Sequence, residues 1–188
     1  MARRIDAIIL LGRPGCGKDT QAKLLARRIR ARIVNTGDLV RRMASKKGSF
    51  ALYLRRNILQ KGKLAPPWLA AVVWFEELAR IPAWCPVIFN GSPRTRDEAE
   101  WLSEALAWCG RKTLAVHVAI TPKESLRRLS RRKRKDDHPV IVRTRLRYFA
   151  KNTMPAIRFF SRKGMLKSVN GQQPPKGVFE DLLTTVRK

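Results

Sequence analysis

The sequence predicts an α/β fold, a five-stranded parallel sheet flanked by helices. Short apolar runs alternate with longer amphipathic stretches, a pattern typical of βαβ units around a parallel sheet. A glycine-rich loop separates the first apolar run from the first amphipathic stretch. The length of 188 residues suits one compact domain, and the hydrophobic fraction of 44% is ordinary for a globular protein.

Five apolar runs are expected to form the strands. They cover residues 5–11, 32–34, 86–90, 114–120 and 166–170. We interpret the first run as a buried strand rather than a signal peptide, because Asp6 interrupts it and only residues 7–11 follow before the glycines. No run approaches the roughly 18 apolar residues that a membrane span needs, so we expect no span.

Between the predicted strands, apolar residues recur at the spacing of amphipathic helices. The predicted helices cover residues 18–30, 95–108, 122–130, 139–162 and 176–186. Thr95, with Glu98 three residues later, predicts a capping box at the start of the second helix. Residues 42–77 contain helical pieces and a Pro-Pro break but no strand, which indicates an insert over the sheet. We expect the five tryptophans (68, 74, 84, 101 and 108) to pack in the core rather than to form a stacking platform for bases.

The glycine-rich loop predicts a phosphate-binding site. Residues 12–20 read Gly-Arg-Pro-Gly-Cys-Gly-Lys-Asp-Thr, and they follow a strand and open a helix. Glycines let the backbone turn its N–H groups around an anion, and the helix N-terminus adds positive partial charge. Lys18 would then bridge the β- and γ-phosphates of a nucleotide. Asp19 stands where a Ser or Thr usually follows the lysine.

The charge of the chain is unusually positive. Lys and Arg number 41 against 14 Asp and Glu, which gives a net charge of +27. Such a surface attracts polyanions, among them nucleotides, RNA and anionic lipid headgroups. Composition alone therefore leaves open both an enzyme of nucleotides and a nucleic-acid binder. Three cysteines without metal-ligand spacing and only two histidines argue against a zinc site. The odd number of cysteines, with no expected signal peptide, favours a reducing cytoplasm.

Further segments resemble one family of kinases. Residues 17–21 read Gly-Lys-Asp-Thr-Gln, where adenylate kinases typically read Gly-Lys-Gly-Thr-Gln. Residues 36–41 resemble the Thr-Gly-Asp-x-x-Arg of their monophosphate site, and residues 90–95, Asn-Gly-Ser-Pro-Arg-Thr, resemble their Asp-Gly-Phe-Pro-Arg-Thr. Residues 134–137, with Arg145 beyond them, look like the lid and the following helix. In this order, the segments resemble a short-lid adenylate kinase, or another nucleoside monophosphate kinase, over nearly the whole chain.

The resemblance implies a role for each matching residue. Those implied at the ATP site are Gly15, Cys16, Gly17, Lys18, Asp19, Thr20, Arg132 and Gln173. Those implied at the acceptor monophosphate are Thr36, Arg41, Gly91, Arg94, Glu98, Arg134 and Arg145. The implied catalytic set is Lys18, Arg94, Arg134 and Arg145. The resemblance also implies one P-loop kinase domain over residues 1–188, an acceptor-binding helical insert at 36–66 and a short lid at 131–139.

The implied reaction is reversible transfer of a phosphoryl group from ATP, bound with Mg²⁺, to AMP, giving two ADP. Alternatives are a kinase for GMP, CMP or UMP, and a basic P-loop RNA-binding protein with weak kinase activity. We expect a cytoplasmic monomer that also binds RNA or other polyanions nonspecifically through its excess charge.

Three departures from the family pattern leave alternatives open. Asn90 replaces an aspartate that orders water around Mg²⁺, and no direct protein ligand of the metal is implied. Asp19 would either contact Mg²⁺ or cap its helix. Glu98 replaces a glutamine that reads the acceptor adenine, so its carboxylate either meets the base or completes the capping box.

Overall fold

The computed structural model describes residues 5–131 and 139–187. In these ranges the chain forms five strands and nine α-helices. The strands are β1 (Ala7–Leu11), β2 (Arg32–Asn35), β3 (Val87–Asn90), β4 (Thr113–Ala119) and β5 (Leu166–Asn170). The helices are α1 (Lys18–Ile29), α2 (Thr36–Ser45), α3 (Ser49–Tyr53), α4 (Pro67–Ala79), α5 (Arg96–Trp108), α6 (Pro122–Arg131), α7 (Pro139–Tyr148), α8 (Met154–Arg162) and α9 (Pro175–Arg187). Two π-helical segments, Leu54–Leu59 and Phe149–Thr153, follow α3 and α7.

The strands confirm the predicted parallel sheet. Their order is β2-β3-β1-β4-β5, and every neighbouring pair is parallel. β1 is the central strand, with Ile9 beside Phe89 of β3 on one side and Ala115 of β4 on the other. The loops that follow β1 and β3 therefore leave the same edge of the sheet side by side, which is where ligands bind in open α/β sheets.

Hydrophobic side chains cover both faces of the sheet. On β1, Ala7, Ile9 and Leu11 pack with residues of α2, α4, α5 and α8. Ile8 and Leu10 point to the opposite face, where α1 and α9 cover them. All five residues are buried, so the strand reads as a continuous apolar run rather than an alternating one.

Two helical regions differ from regular α-helix. The helix predicted over 139–162 consists of α7, the π-helical segment Phe149–Thr153 and α8. Pro155 lies in the first turn of α8 and lacks the N–H that a regular helix would bond to the carbonyl four residues back. The wider π-helical turn precedes this proline. Residues 36–79 contain α2, α3, a π-helical segment and α4, and no strand, as predicted for 42–77.

The prediction that the tryptophans pack in the core is wrong for four of the five. Trp74 is 2% exposed, whereas the exposed fractions of Trp68, Trp84, Trp101 and Trp108 are 56%, 84%, 42% and 85%. On α5 the buried face is formed by residues such as Leu102 and Leu106. Trp101 and Trp108 are seven residues apart and lie on the outer face of the same helix.

Two further features concern the helices' ability to span a membrane and the state of the cysteines. Over residues 5–131 and 139–187, no helix combines the length and apolar character that crossing a membrane requires. The three cysteines are free thiols, with Cys16 and Cys85 buried and Cys109 exposed.

Candidate active site

The glycine-rich loop connects β1 to α1 at the carboxyl edge of the sheet. Gly17 is the N-cap of α1 and has φ +93°, a conformation that residues with a side chain rarely adopt. A Cβ on Gly12 would lie 2.5 Å from the carbonyl oxygen of Val118 on β4, so only glycine fits there. The predicted order of strand, glycine loop and helix is present, and the first turn of α1, whose N–H groups find no partner within the helix itself, borders the loop.

The side chain of Lys18 folds over this loop. Its Nζ donates to the carbonyl oxygens of Gly12 at 2.7 Å and Arg13 at 3.3 Å, and lies 3.4 Å from the Sγ of Cys16. The guanidinium of Arg13 lies 4.8 Å from the ring centroid of Phe149, in the π-helical segment after α7. The loop thus carries a positive charge and is packed against a distant helical segment.

A cavity of about 380 Å³ opens beside the loop. Residues predicted at the ATP site that line it are Gly15, Gly17, Lys18, Asp19 and Thr20. Residues predicted at the acceptor site that line it are Thr36, Arg41, Gly91, Arg94, Glu98 and Arg145. Its cationic lining side chains are Lys18, Arg41, Lys63, Arg94, Arg128 and Arg145, against the acidic Asp19 and Glu98. One cationic cavity therefore borders both predicted half-sites.

Three arginines interact electrostatically in this cavity. Burial lowers the pKa of the Arg94 guanidinium from its ordinary value, and the negative charge of Glu98 opposes that shift. The charges of Arg145 and Arg41 lower the pKa of Arg94 further, which places all three cations near one another. Clustered guanidinium groups repel one another unless an anion lies between them, and arginine suits a phosphate in particular.

The acceptor side also contains a buried hydroxyl. Thr36, the first residue of α2, is 4% exposed, and its Oγ1 has no hydrogen-bond partner within the described ranges. Next to it, Arg41 forms an ion pair with Asp38, and both side chains are about half exposed. A buried polar atom without a partner costs about 1–3 kcal/mol, so Thr36 indicates a polar ligand at this end of the cavity.

Glu98 contacts the loop that follows β3. It is 1% exposed, and its Oε2 accepts hydrogen bonds from the Oγ of Ser92 and the backbone N–H of Arg94, both at 3.0 Å. Thr95 caps α5 as predicted, since its Oγ1 accepts from the N–H of Glu98 at 3.2 Å. The prediction that Glu98 completes the capping box is wrong, because its carboxylate accepts from the backbone N–H of Arg94 rather than from that of Thr95. Burial raises the pKa of the Glu98 carboxyl.

Asn90 and Asp19, two positions that depart from the family pattern, contact each other. The Nδ2 of Asn90 donates to the Oδ1 of Asp19 at 2.9 Å. The Oδ1 of Asn90 is buried and has no partner among the described residues. A carboxylate and an amide oxygen are the ligand types that Mg²⁺ accepts, so these residues fit the ion. Residues 5–131 and 139–187 contain no group of three or more His, Cys, Asp or Glu that could hold a metal ion.

Some predicted site residues lie away from the cavity or outside the described ranges. The Nε2 of Gln173 donates to the Asn170 carbonyl oxygen and to the Oδ2 of Asp181, at 3.2 and 2.6 Å, and Gln173 does not line the cavity. Cys16 belongs to the loop but is buried and does not line the cavity. Arg132, Arg134 and most of the predicted 131–139 lid lie outside the described residues.

The cavity also contains residues that the sequence did not predict. Arg128 on α6 donates to the carbonyl oxygen of Gly171 at 2.8 Å, and its place in the basic run 127–135 could have indicated it. Thr153 donates from its Oγ1 to the carbonyl oxygen of Arg94 at 3.1 Å. No local signal marks Thr153, because its partner is 59 residues away in the sequence. Lys63, near the end of the predicted insert, also lines the cavity and was not among the predicted site residues.

The fold and the cavity define the class, a P-loop α/β protein with a cationic cleft for phosphate groups. The family model described as adenylate kinase matches residues 10–165. The chain is 36% identical over 179 residues to an adenylate kinase from Thermus thermophilus, covering 93% of both chains. It is 30% identical over 186 residues to an adenylate kinase from Thermobifida fusca, covering 96% of this chain and 97% of the relative. Against adenylate kinase 1 from Synechocystis the identity is 30% over 181 residues, with 96% of each chain covered. The chain belongs to the adenylate kinase family.

Proposed function

We propose that this chain catalyses reversible phosphoryl transfer from ATP, bound with Mg²⁺, to AMP, giving two ADP. One observation carries the proposal. A phosphate-binding loop and three arginines from separate segments, Arg41, Arg94 and Arg145, line a single cavity. Membership of the adenylate kinase family supports the same reaction.

The donor nucleotide binds at the glycine loop. The backbone N–H groups of residues 15–20 and the Lys18 side chain hold the phosphates of ATP. Arg132 contacts the donor base or its phosphates, and the segment around Gln173 lies beside the adenine, mainly through backbone atoms. This position is supported by Gln21 of α1, whose Nε2 donates to the Pro175 carbonyl oxygen at 2.9 Å and ties that segment to the loop's own helix.

The acceptor phosphate binds between Arg41 and Arg94. In phosphoryl transfer no protein group attacks, and negative charge spreads over the oxygens of the transferring group. Arg145, together with Arg134, closes over that group and neutralises its charge. Such cations act more strongly in a closed cleft than in water. Mg²⁺, held near Asp19 and Asn90, would supply further neutralisation of the donor phosphates.

Two segments close the cleft. We assign residues 36–66 to an acceptor-binding insert and residues 131–139 to a short lid, within one domain over 1–188. The insert lies against α7, the helix that follows the proposed lid. Gly62 of the insert is so close to Ile141 of α7 that an added Cβ would lie 2.6 Å from the Cγ2 of Ile141. Closure would exclude the water that otherwise hydrolyses ATP.

The acceptor base is adenine in this proposal. A carboxylate at position 98 suits the two donors of guanine better than the donor and acceptor of adenine. However, Ser92 and Arg94 already donate to the Oε2 of Glu98, which supports a role in the loop rather than in reading guanine. We therefore retain AMP over GMP, CMP and UMP.

Turnover of ATP with each of the four nucleoside monophosphates tests the proposal. A coupled assay should give the highest kcat/KM with AMP, by about tenfold or more, because a mismatched base contact costs about 1–3 kcal/mol. Reactions without acceptor control for ATP hydrolysis. A preference for GMP that Glu98→Gln reverses would overturn the choice of adenine. Absence of turnover with all four would overturn the kinase proposal and favour the RNA-binding alternative.

We also propose that the protein works as a monomer in the cytoplasm. Three free thiols support a reducing compartment. Residues of both predicted half-sites line one cavity, which supports a site that is complete within a single copy of the chain. Size-exclusion chromatography with light scattering should give a mass near 21.5 kDa, and a stable dimer would contradict this.

A further inference from the structure

The contact between Asn90 and Asp19 fixes the orientation of the asparagine amide. A carboxylate only accepts hydrogen bonds, so the NH₂ group of Asn90 must face Asp19, as it does at 2.9 Å. The amide oxygen then points away from Asp19. Asn90 is 2% exposed, and this oxygen has no partner among the described residues. A buried carbonyl oxygen in this state favours a ligand that donates to it or a cation that it coordinates.

The position of the pair indicates which ligand this is. Both residues line the cavity, beside Lys18 and Thr20 of the phosphate loop. Asp19 occupies the loop position whose side-chain oxygen contacts Mg²⁺ in many P-loop proteins. A carboxylate at this place repels a polyphosphate unless a cation lies between them. Oxygen ligands from a carboxylate and an amide suit a hard divalent cation.

We propose that Asp19 and Asn90 form a two-residue site for the divalent cation that accompanies the donor nucleotide. Asp19 supplies the negative charge, and Asn90 orients that carboxylate and presents its amide oxygen to the ion or to a water bound to it. The proposal rests on the proposed function, since it assumes that ATP binds at the phosphate loop. It assigns the metal two protein groups that come from α1 and from the end of β3.

The two positions are coupled by their charges. An aspartate at 90 beside Asp19 would place two carboxylates in hydrogen-bond contact, where they repel each other. One negative charge at this point is therefore tolerated, and either position could carry it. Replacing Asp19 by glycine removes the negative charge. The substitution Asn90→Asp in that background returns a negative charge at the position that contacts residue 19.

Mn²⁺ binding, followed by the paramagnetic signal of the free ion, measures the site without any turnover. The probe is Mn²⁺, titrated into the full-length protein saturated with a non-hydrolysable ATP analogue. Asp19→Gly should weaken Mn²⁺ binding about 10- to 100-fold, the range expected for loss of a residue that supports a metal. The double variant Asp19→Gly/Asn90→Asp should recover at least half of that loss on a logarithmic scale.

A second measurement separates this role from a structural one. In EDTA, Asp19→Gly should bind the ATP analogue more tightly than the parent protein, because a charge that repels phosphate is gone. With Mn²⁺ the order should reverse. A residue that only caps its helix would not produce this reversal. Asp97→Gly is the matched control, because Asp97 also lies in the first turn of a helix but is exposed and does not line the cavity.

The outcomes distinguish the two proposals. Unchanged Mn²⁺ affinity in a folded Asp19→Gly protein that still binds the analogue overturns the cation site and leaves the proposed function standing. No recovery in the double variant also overturns it. Failure of the parent protein to bind the analogue at all overturns the proposed function instead.

Discussion

Both backbone polar groups of Arg94 form hydrogen bonds with side chains. Its N–H donates to Glu98, and its carbonyl oxygen accepts from Thr153. The Arg94 side chain is half-buried, and the opposite charge of Glu98 is among the charges that act on it. Two side chains from different helical segments thus fix the backbone from which the guanidinium reaches the cavity, and a phosphate would find this cation already positioned.

Replacing Arg94 by alanine should lower turnover by about 30- to 1000-fold, because loss of a buried charge-assisted clamp costs about 2–4 kcal/mol in the transition state. Steady-state rates with ATP and AMP measure the effect, and circular dichroism checks the fold. Arg96→Ala is the control, since Arg96 is exposed and pairs with Glu100 on the surface of α5. Near-normal activity in a folded Arg94→Ala protein would show that the assignment is wrong.

Glu98→Gln should change how stability depends on pH. Burial raises the pKa of the Glu98 carboxyl, so the folded protein holds its proton at pH values where the unfolded chain has lost it. The stabilising contribution is fully present below the unfolded pKa and is lost as pH rises through the folded one. Glutamine removes this loss, so the variant should gain stability relative to the parent as pH increases from 4 to 8.

Urea unfolding at several pH values measures the difference in free energy of unfolding between Glu98→Gln and the parent. Glu100→Gln serves as the control, because Glu100 lies on the same helix with a side chain that is 42% exposed. A difference that stays constant with pH would contradict the buried, ionisable state of Glu98.

At the scale of elements, the sequence predicted those features that local pattern determines. All five strands lie within about two residues of their predicted ends. The inner strands β1, β3 and β4 are largely buried and therefore need apolar runs, whereas the edge strands β2 and β5 are mostly exposed. The π-helical segment Phe149–Thr153 was missed, because five residues are too few for the apolar pattern to distinguish a π-helical turn from an α-helical one. The exposed Trp101 and Trp108 were misplaced because hydrophobicity was weighed without the helical phase of α5.

The π-helical segment positions site residues from outside the glycine loop. Phe149 packs against Arg13, and Thr153 donates to Arg94. Thr153→Val keeps the shape of the side chain and removes its donor, so turnover should fall by about 2- to 12-fold, the value of a hydrogen bond of 0.5–1.5 kcal/mol. Thr185→Val is the control, because the Thr185 hydroxyl donates to the Asp181 carbonyl oxygen within α9 and does not line the cavity. Equal rates for both variants would contradict a positioning role for Thr153.

At the scale of the whole molecule, the residues of the site come from distant parts of the chain. The glycine loop and the segments 36–41 and 90–95 are short motifs, and sequence alone could predict them. Contacts such as Asn90 with Asp19, 71 positions apart, arise only when parallel strands bring the loops together. The direction of the Glu98 carboxylate was likewise open, because both of its alternatives satisfied the local pattern.

The net charge of +27 should make the protein bind RNA without sequence preference. A mixed-sequence single-stranded RNA should shift in a gel at low salt. Its affinity should fall linearly with salt on a double logarithmic scale, by about 0.7 per phosphate contacted. No shift at low salt would contradict the prediction. Sequence-selective binding at physiological salt would instead support the RNA-binding alternative.

The exposed tryptophans have an optical consequence. Trp74 alone is buried, so four indoles in contact with water dominate the emission of the folded protein, and unfolding should shift its wavelength only slightly. The positive surface concentrates anions and excludes cations around those rings. Iodide should therefore quench the fluorescence more strongly than caesium does, and added salt should narrow the gap between the two ions. Fluorescence of this protein thus reports the electric potential at its surface more directly than the integrity of its core.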